Sequence, residues 1–379
     1  MDFSFSEEQE LLRDSVVRFV RENYGFDKRH ALALSEDGFS REHWALFAEL
    51  GWLALPFGED DGGLDGSAAD TMIVMEELGK GLVLEPYLAT VVLAGGVLRR
   101  AASAAQREAV LPGVIGGETQ LALAYVEGQG RYNLADVTTT ATANGDGYII
   151  DGHKGVVLNG PAANTLIVSA RTSGDQRDGD GVTLFLIDAD SAGVTRRDYP
   201  TQDGGRASDI DFTGVTVSGD AVIGDVGGGL KVLEDSIDEA IIAVGAEAVG
   251  AMTALHAATV EYAGTRVQFG VPIGKFQVLQ HRMVEMFMEC EQSKSLLYRA
   301  AMTMDHGAAE TARTVSALKV QIGKSGRFVG QQAVQIHGGM GMTDELNVGH
   351  YFKRLTMINT LFGNIDYHMR RFAALDSAA

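Results

Sequence analysis

The stretch from Ile237 to Gly274, IDEAIIAVGAEAVGAMTALHAATVEYAGTRVQFGVPIG, decides how the rest of the chain is read. Ile237, Ile241, Val244, Ala248, Met252, Leu255, Thr259 and Tyr262 recur in steps of three and four. That spacing predicts one buried face of a long amphipathic helix. Gly264 is the expected stop. Beyond it, Arg266-Val267-Gln268-Phe269-Gly270 offers a fixed cation, an amide and an aromatic ring, then a glycine that lets a backbone come close. Such a segment suits an anionic, partly aromatic ligand, for example a dinucleotide pyrophosphate.

Working outward, 379 residues are enough to bury a large core and to form two or three domains. A net charge of −20 argues against nucleic acid or an anionic membrane surface as a partner, and makes any basic group beside a ligand more telling. The single cysteine, Cys290, excludes an intrachain disulfide framework and fits a reducing cytoplasm. The opening MDFSFSEEQELL has no charged-then-apolar signal pattern, and no apolar run approaches ~18 residues, so a cytoplasmic protein off the membrane is expected.

Residues 1–118 read as a helical domain. Ser6 and Gln9 form a capping box for a helix over Glu7–Glu22 with Leu11, Leu12, Val16, Phe19 and Val20 inward. Further helices are expected at Arg41–Leu50, Ser67–Gly79 and Tyr87–Arg100. From 119 to 228 the pattern turns to short strands joined by Gly, Asn and Asp turns, such as Asn144-Gly145-Asp146-Gly147. This predicts a middle antiparallel β-barrel or sandwich without crossover helices. From 229 to 379 the chain is helical again, with helices at Phe276–Asp305, Ala308–His337, Val348–Ile358 and the tail. The fold class is therefore α+β and multidomain, with helices on both sides of a β-domain.

The sequence carries no metal-ligand spacing, no G-x-S-x-G and no G-x-G-x-x-G after a strand. His281 and His337 are isolated, and isolated histidines are usually structural. Two arrays remain: Arg266, Gln268 and Phe269 close one helix, and Gln335, Gly338, Gly339 and Gly341 close another. Each array alone reads as an ordinary helix end. Together, in one domain, they point to a nucleotide.

The segments Gly51–Gly66 (GWLALPFGEDDGGLDG), Met75–Lys80 (MEELGK), Tyr148–Gly160 (YIIDGHKGVVLNG), Arg266–Met286 (RVQFGVPIGKFQVLQHRMVEM) and Gln335–Arg354 (QIHGGMGMTDELNVGHYFKR) together resemble the acyl-CoA dehydrogenase family over essentially the whole chain. The resemblance implies three domains ending in a four-helix bundle that builds a tetramer. It also implies FAD, an acyl-CoA thioester as substrate, and an electron-transfer flavoprotein as acceptor. In that chemistry a carboxylate removes the α-proton while the β-hydrogen leaves as hydride to the flavin. By the same resemblance Arg266, Gln268, Phe269, Gln335, Gly338 and Gly339 hold the nucleotide half of FAD, acting on the flavin of a neighbouring subunit.

The departures from the family pattern are as informative. Where a catalytic glutamate is expected, the chain has Phe362; at the alternative position, near the start of the long helix, it has Ala240. The flavin-ring loop corresponds to Val126–Asp136, with Ala135 at its serine, and the W-I-T-N-G segment reads Val156-Val157-Leu158-Asn159-Gly160. The carboxylates left near these positions are Glu239, Glu247 and Asp366. Glu239 is rotated ~100° from Ala240 about the helix axis and Glu247 lies ~10 Å further along it. Proton abstraction needs a reach of about 3 Å. A missing base with retained contacts across the interface is the pattern of a heteromeric enzyme, and the chain is most similar to the small-subunit type of pimeloyl-CoA dehydrogenase; similar pairs act on steroid side-chain thioesters. The alternatives are a self-sufficient homotetrameric dehydrogenase with a relocated base and a non-catalytic acyl-CoA-binding or structural protein on the same scaffold.

Overall fold

The computed structural model describes residues 5–304 and 308–377. Six helices come first: α1 (Glu7–Asn23), α2 (Phe26–Leu34), α3 (Arg41–Glu49), α4 (Ala68–Gly81), α5 (Gly95–Ala101, continuing a π-helical Leu88–Ala94) and α6 (Ala104–Ile115). The capping box at α1 is formed, Ser6 taking the Gln9 amide and Gln9 returning to the Ser6 amide. Only Val16 and Phe19 of the expected stripe are buried, and Leu11 is 65% exposed. α2 was not legible from periodicity, because its one buried side chain is an arginine, Arg29.

Eight strands then form one sheet: β1 (Leu121–Ala124), β2 (Thr140–Asn144), β3 (Gly147–Leu158), β4 (Thr165–Arg171), β5 (Val182–Asp188), β6 (Val194–Pro200), β7 (Arg206–Ser218) and β8 (Val222–Ile223). The order is β6-β7-β3-β2-β4-β5-β8, with β1 beside β4. The pairings are antiparallel except β1–β4 and a single β2–β4 bridge. Its core is made by Ile150, Val157, Leu166, Val168, Phe185, Ile187, Ile210, Phe212 and Val215. β3 slips register against β7 between Lys154 and Val157, which puts a bulge at the start of the segment resembling the family's flavin-ring strand.

The remainder is a helical bundle: α7 (Gly229–Thr265), α8 (Gln277–Thr303), α9 (Ala308–His337), α10 (Asn347–Thr360) and α11 (Ile365–Ser377). A two-strand hairpin, β9 (Val267–Gln268) and β10 (Val271–Pro272), sits between α7 and α8. The expected end of α8 at Asp305 lies outside the described residues. α9 packs against α8, α10 and α11. Contacts group the chain into two compact units. One holds Met1–Ala31, Ala68–Val83 and Ile241–Ala379; the other holds Leu32–Ser67 and Leu84–Ala240.

The expected stripe on α7 is buried from Ile237 to Thr259, but the burial is wider than one face. Every residue from Ser236 to Met252 is buried. By length and composition alone α7 could cross a bilayer, yet 78% of its most apolar window is covered by protein. The covering is closest in the first unit, where α4 and α7 meet backbone to backbone. A Cβ on Gly250 would overlap the Glu76 carbonyl, and one on Gly79 would overlap the Glu247 carbonyl.

Gly250→Ala should therefore lower stability by about 2 kcal/mol or more, the scale of overpacking a tight contact. Gly264→Ala, whose Cβ would meet nothing within 4 Å, should stabilise α7 slightly because glycine is a poor helix former. Thermal denaturation of the two variants checks this; equal behaviour would refute the seam.

Candidate functional site

The two arrays expected to bind a nucleotide lie at one end of the first unit. On α7 the last turn closes when Tyr262 O accepts the Arg266 amide at 2.8 Å, and Arg266 O accepts the Ile273 amide at 2.8 Å. Between these bonds the hairpin turns at Phe269 (φ +53°) and Gly270 (φ +83°). Phe269, bulky and left-handed in backbone, is 92% exposed. Arg266 is exposed and its guanidinium has no acidic partner among the described residues. On α9, Gln335 is exposed, and the chain reverses at Gly338 (φ +61°) into the turn Gly338–Met342. A Cβ at Gly338 or Gly339 would meet nothing within 4 Å, so open space lies over both. The Tyr262 and His337 rings stack with centroids 4.3 Å apart and planes 24° from parallel, which joins the two helix ends.

A dinucleotide pyrophosphate fits this donor set: an unneutralised cation on a chain of net charge −20, two exposed amide side chains, and glycines that leave backbone approachable. The ring-binding half does not fit a flavin comparably. Within the second unit the segment Val126–Asp136 commits both of its carboxylates to the protein. Glu127 accepts from Lys154 Nζ at 2.7 Å, from the Thr138 and Thr139 amides, from the Thr138 hydroxyl and from Gln129. Burial favours its neutral form, but Lys154 and Thr138 outweigh that and bring its pKa down to about 2. Asp136 is taken by Gln176 and Arg177, the Ala135 carbonyl by Arg171, and the Ala135 amide by Asn133 Oδ1. Val156 stands at the tryptophan position with φ +51°, costly for a β-branched residue, and its amide goes to Asp209.

Both base positions are apolar and buried. Ala240 has no exposed surface, and Phe362 turns in the left-handed region (φ +57°) with its ring buried. The Phe362 loop is held from behind. Lys319 donates to the carbonyls of Ile358, Asn359 and Gly363 at 2.8, 3.2 and 2.7 Å, and His368 Nε2 meets the Phe362 carbonyl at 3.0 Å. None of these contacts uses the residue 362 side chain.

The three remaining carboxylates are separated by the fold. Glu239 is buried between Arg99 and Arg100, which meet it at 2.6 Å each. Burial works to raise its pKa, but the two guanidiniums win and hold it below the usual carboxylate range. Glu247 is buried in a two-pronged pair with Arg354, at 2.6 and 2.7 Å. Asp366 is exposed in the first turn of α11. Glu239 and Glu247 are thus committed to ion pairs, and the fold does not bring the three together. His281 is exposed; His337 is part of the stack. Sequence reading missed Arg99, Arg100, Arg354, Lys319 and His368. Their partners lie 39 to 140 residues away or are backbone carbonyls, and no local pattern marks them.

All three family models for this architecture match: the acyl-CoA dehydrogenase N-terminal domain over residues 6–118, the middle domain over 122–215 and the C-terminal domain over 227–374. The chain belongs to the acyl-CoA dehydrogenase family, whose members are FAD-dependent oxidoreductases. It is 30% identical over 370 residues to the acyl-CoA dehydrogenase IpdE2 of Mycolicibacterium smegmatis, covering 97% of this chain and 99% of that one. Among solved structures it resembles the ChsE4–ChsE5 complex of Mycobacterium tuberculosis (TM-score 0.91, 25% identity, 100% of both chains). It also resembles an FAD complex of PigA (TM-score 0.92, 26% identity, 100% of this chain and 99% of that one).

Two outcomes follow. Glu247→Gln should lower the thermal midpoint clearly, because it removes the charge from the buried two-pronged pair with Arg354, whereas Asp366→Asn should move it by less than ~1 °C. The second concerns acid. Burial depresses the His368 pKa to about 3, against about 6.5 unfolded. The unfolded chain therefore binds a proton that the folded chain refuses, and stability falls as pH drops from about 6.5 toward 3. Thermal midpoints between pH 6.5 and 5, where carboxylates still carry charge, should fall less steeply in His368→Gln than in the parent.

Proposed function

We propose that this chain is the base-lacking subunit of an FAD-dependent acyl-CoA dehydrogenase that introduces an α,β double bond into an acyl-CoA thioester, paired with a second family member in a heterotetramer. One observation carries the reading: both positions for the family's carboxylate hold buried apolar side chains, Phe362 and Ala240, while Arg266 stands exposed and without an acidic partner among the described residues. FAD, when bound, supplies the hydride acceptor for this chemistry. Arg266 would set a fixed positive charge against its pyrophosphate. Gln268 and Gln335 would add amide donors, Gly338 and Gly339 would admit the phosphates close to backbone, and Phe269 would offer a ring to the nucleotide. These groups would act on the flavin of the partner subunit, since the two carboxylates of the chain's own ring segment are held in internal hydrogen bonds and ion pairs.

Assembly is supported by apolar side chains left on the outer face of α8, where Val278, Val284, Phe287 and Met288 are exposed. The likeness to a complex named for two different chains favours pairing; it does not favour the pimeloyl acyl group in particular. The electron acceptor on this reading is an electron-transfer flavoprotein and the compartment the cytoplasm, in keeping with a lone, buried cysteine.

The chain purified alone should retain little FAD and show no acyl-CoA dehydrogenation. Co-expression with a base-bearing family member should restore both, and Arg266→Ala should weaken FAD retention by the mixed complex at least tenfold. Robust turnover by the pure chain would overturn the proposal in favour of a relocated base, and unchanged FAD in the Arg266 variant would favour a non-catalytic scaffold.

A further inference from the structure

We infer that the Tyr262–His337 stack is a positioning element, which fixes the α7-end residues Arg266 and Gln268 against the α9-end residues Gly338 and Gly339 so that a dinucleotide pyrophosphate meets one preassembled cradle. The inference rests on the nucleotide reading above and adds two residues to it that nothing else assigns.

The geometry is continuous from the stack to both arrays. Tyr262 and His337 overlap face to face at 4.3 Å, and the Tyr262 hydroxyl reaches the His337 carbonyl at 3.5 Å. The histidine cannot swing: it is buried, and its Nδ1 meets the Ala333 carbonyl, one turn back, at 2.8 Å. That bond makes Nδ1 a donor, and burial lowers the ring's pKa although the Ala333 carbonyl works the other way. From Tyr262 the backbone leads directly to Arg266 through the 2.8 Å closing bond, and from Arg266 across the hairpin to Ile273. From His337 the next residue is Gly338, where the chain reverses. The turn then folds back on the same histidine, for a Cβ at Gly341 would lie 3.1 Å from the His337 Cβ. Helix ends fray unless tied, and here each end is tied to the other by the stacked pair. A site of this kind binds more tightly when its donors need no ordering on arrival.

A structural role alone would affect stability; a positioning role also moves local order and ligand affinity, and it depends on an aromatic face. His337→Ala removes the face, whereas His337→Phe keeps the face and loses only the bond to Ala333. Hydrogen exchange on the full chain should show the Arg266 and Ile273 amides opening at least tenfold faster in His337→Ala, with α10 amides unchanged. Affinity of the FAD-stripped mixed complex for ADP, used as the pyrophosphate-bearing probe, should fall at least tenfold. His337→Phe should stay within about threefold of the parent in both measurements. Unchanged exchange in His337→Ala, or equal losses in the alanine and phenylalanine variants, would overturn the positioning role. A parent mixed complex, stripped of FAD, that shows no saturable ADP binding, with exchange as expected, would overturn the nucleotide reading and leave the coupling of the helix ends standing.

Discussion

The structure depends on one constraint: the middle of α7 is buried on every side. A helix enclosed in this way cannot leave a charge unpaired without losing several kcal/mol, yet Glu239 and Glu247 both lie in the enclosed segment. Each is met by arginine, Glu239 by Arg99 and Arg100 from α5, Glu247 by Arg354 from α10. The same enclosure calls for glycine at the tightest contacts, where α4 and α7 touch through backbone at Gly79 and Gly250. Packing and electrostatics along this helix are two answers to the same problem of excluding water.

That constraint also explains why the carboxylates closest to the family's base positions make poor bases. A general base must give up a solvated or weakly held charge to take a proton. Carboxylates clamped by one or two guanidiniums are stabilised as anions and hold their geometry for structural reasons. Meanwhile the Phe362 loop keeps its shape through Lys319 and His368, which grip backbone carbonyls and are indifferent to the side chain displayed. The fold of such a loop does not depend on which side chain residue 362 carries. The end of the bundle where α7 meets α9 differs in kind: Arg266 is exposed and has no acidic partner among the described residues, and the turns there use left-handed backbone at Phe269, Gly270 and Gly338.

Much of this was legible in the sequence, for local reasons. The three-and-four spacing on α7, the capping box at Ser6, the Asn144–Gly147 turn and the span of α9 are encoded in neighbouring residues, and the structure contains each of them. The two nucleotide arrays were visible as residue types at helix ends. The apolar residues at positions 240 and 362 could likewise be read directly, and the proposal of a base-lacking subunit rests on them.

What only the tertiary structure decided were relations between distant residues. Periodicity marks one face of α7, but whether the other faces are covered depends on what packs there, so the enclosure of Ser236–Met252 had no local signal. The arginines that neutralise Glu239 and Glu247 lie 140 and 107 residues away in the chain. The parallel pairing of β1 with β4, the burial of Arg29 in an otherwise unmarked helix, and the stacking of Tyr262 on His337 were equally hidden. By itself the sequence determined most of the elements that form and which chemistry-bearing residues end them, because those follow from propensity and spacing. Folding decided which of those residues are spent on one another and which remain for a ligand, because charge and hydrogen bonds are satisfied in space and not along the chain.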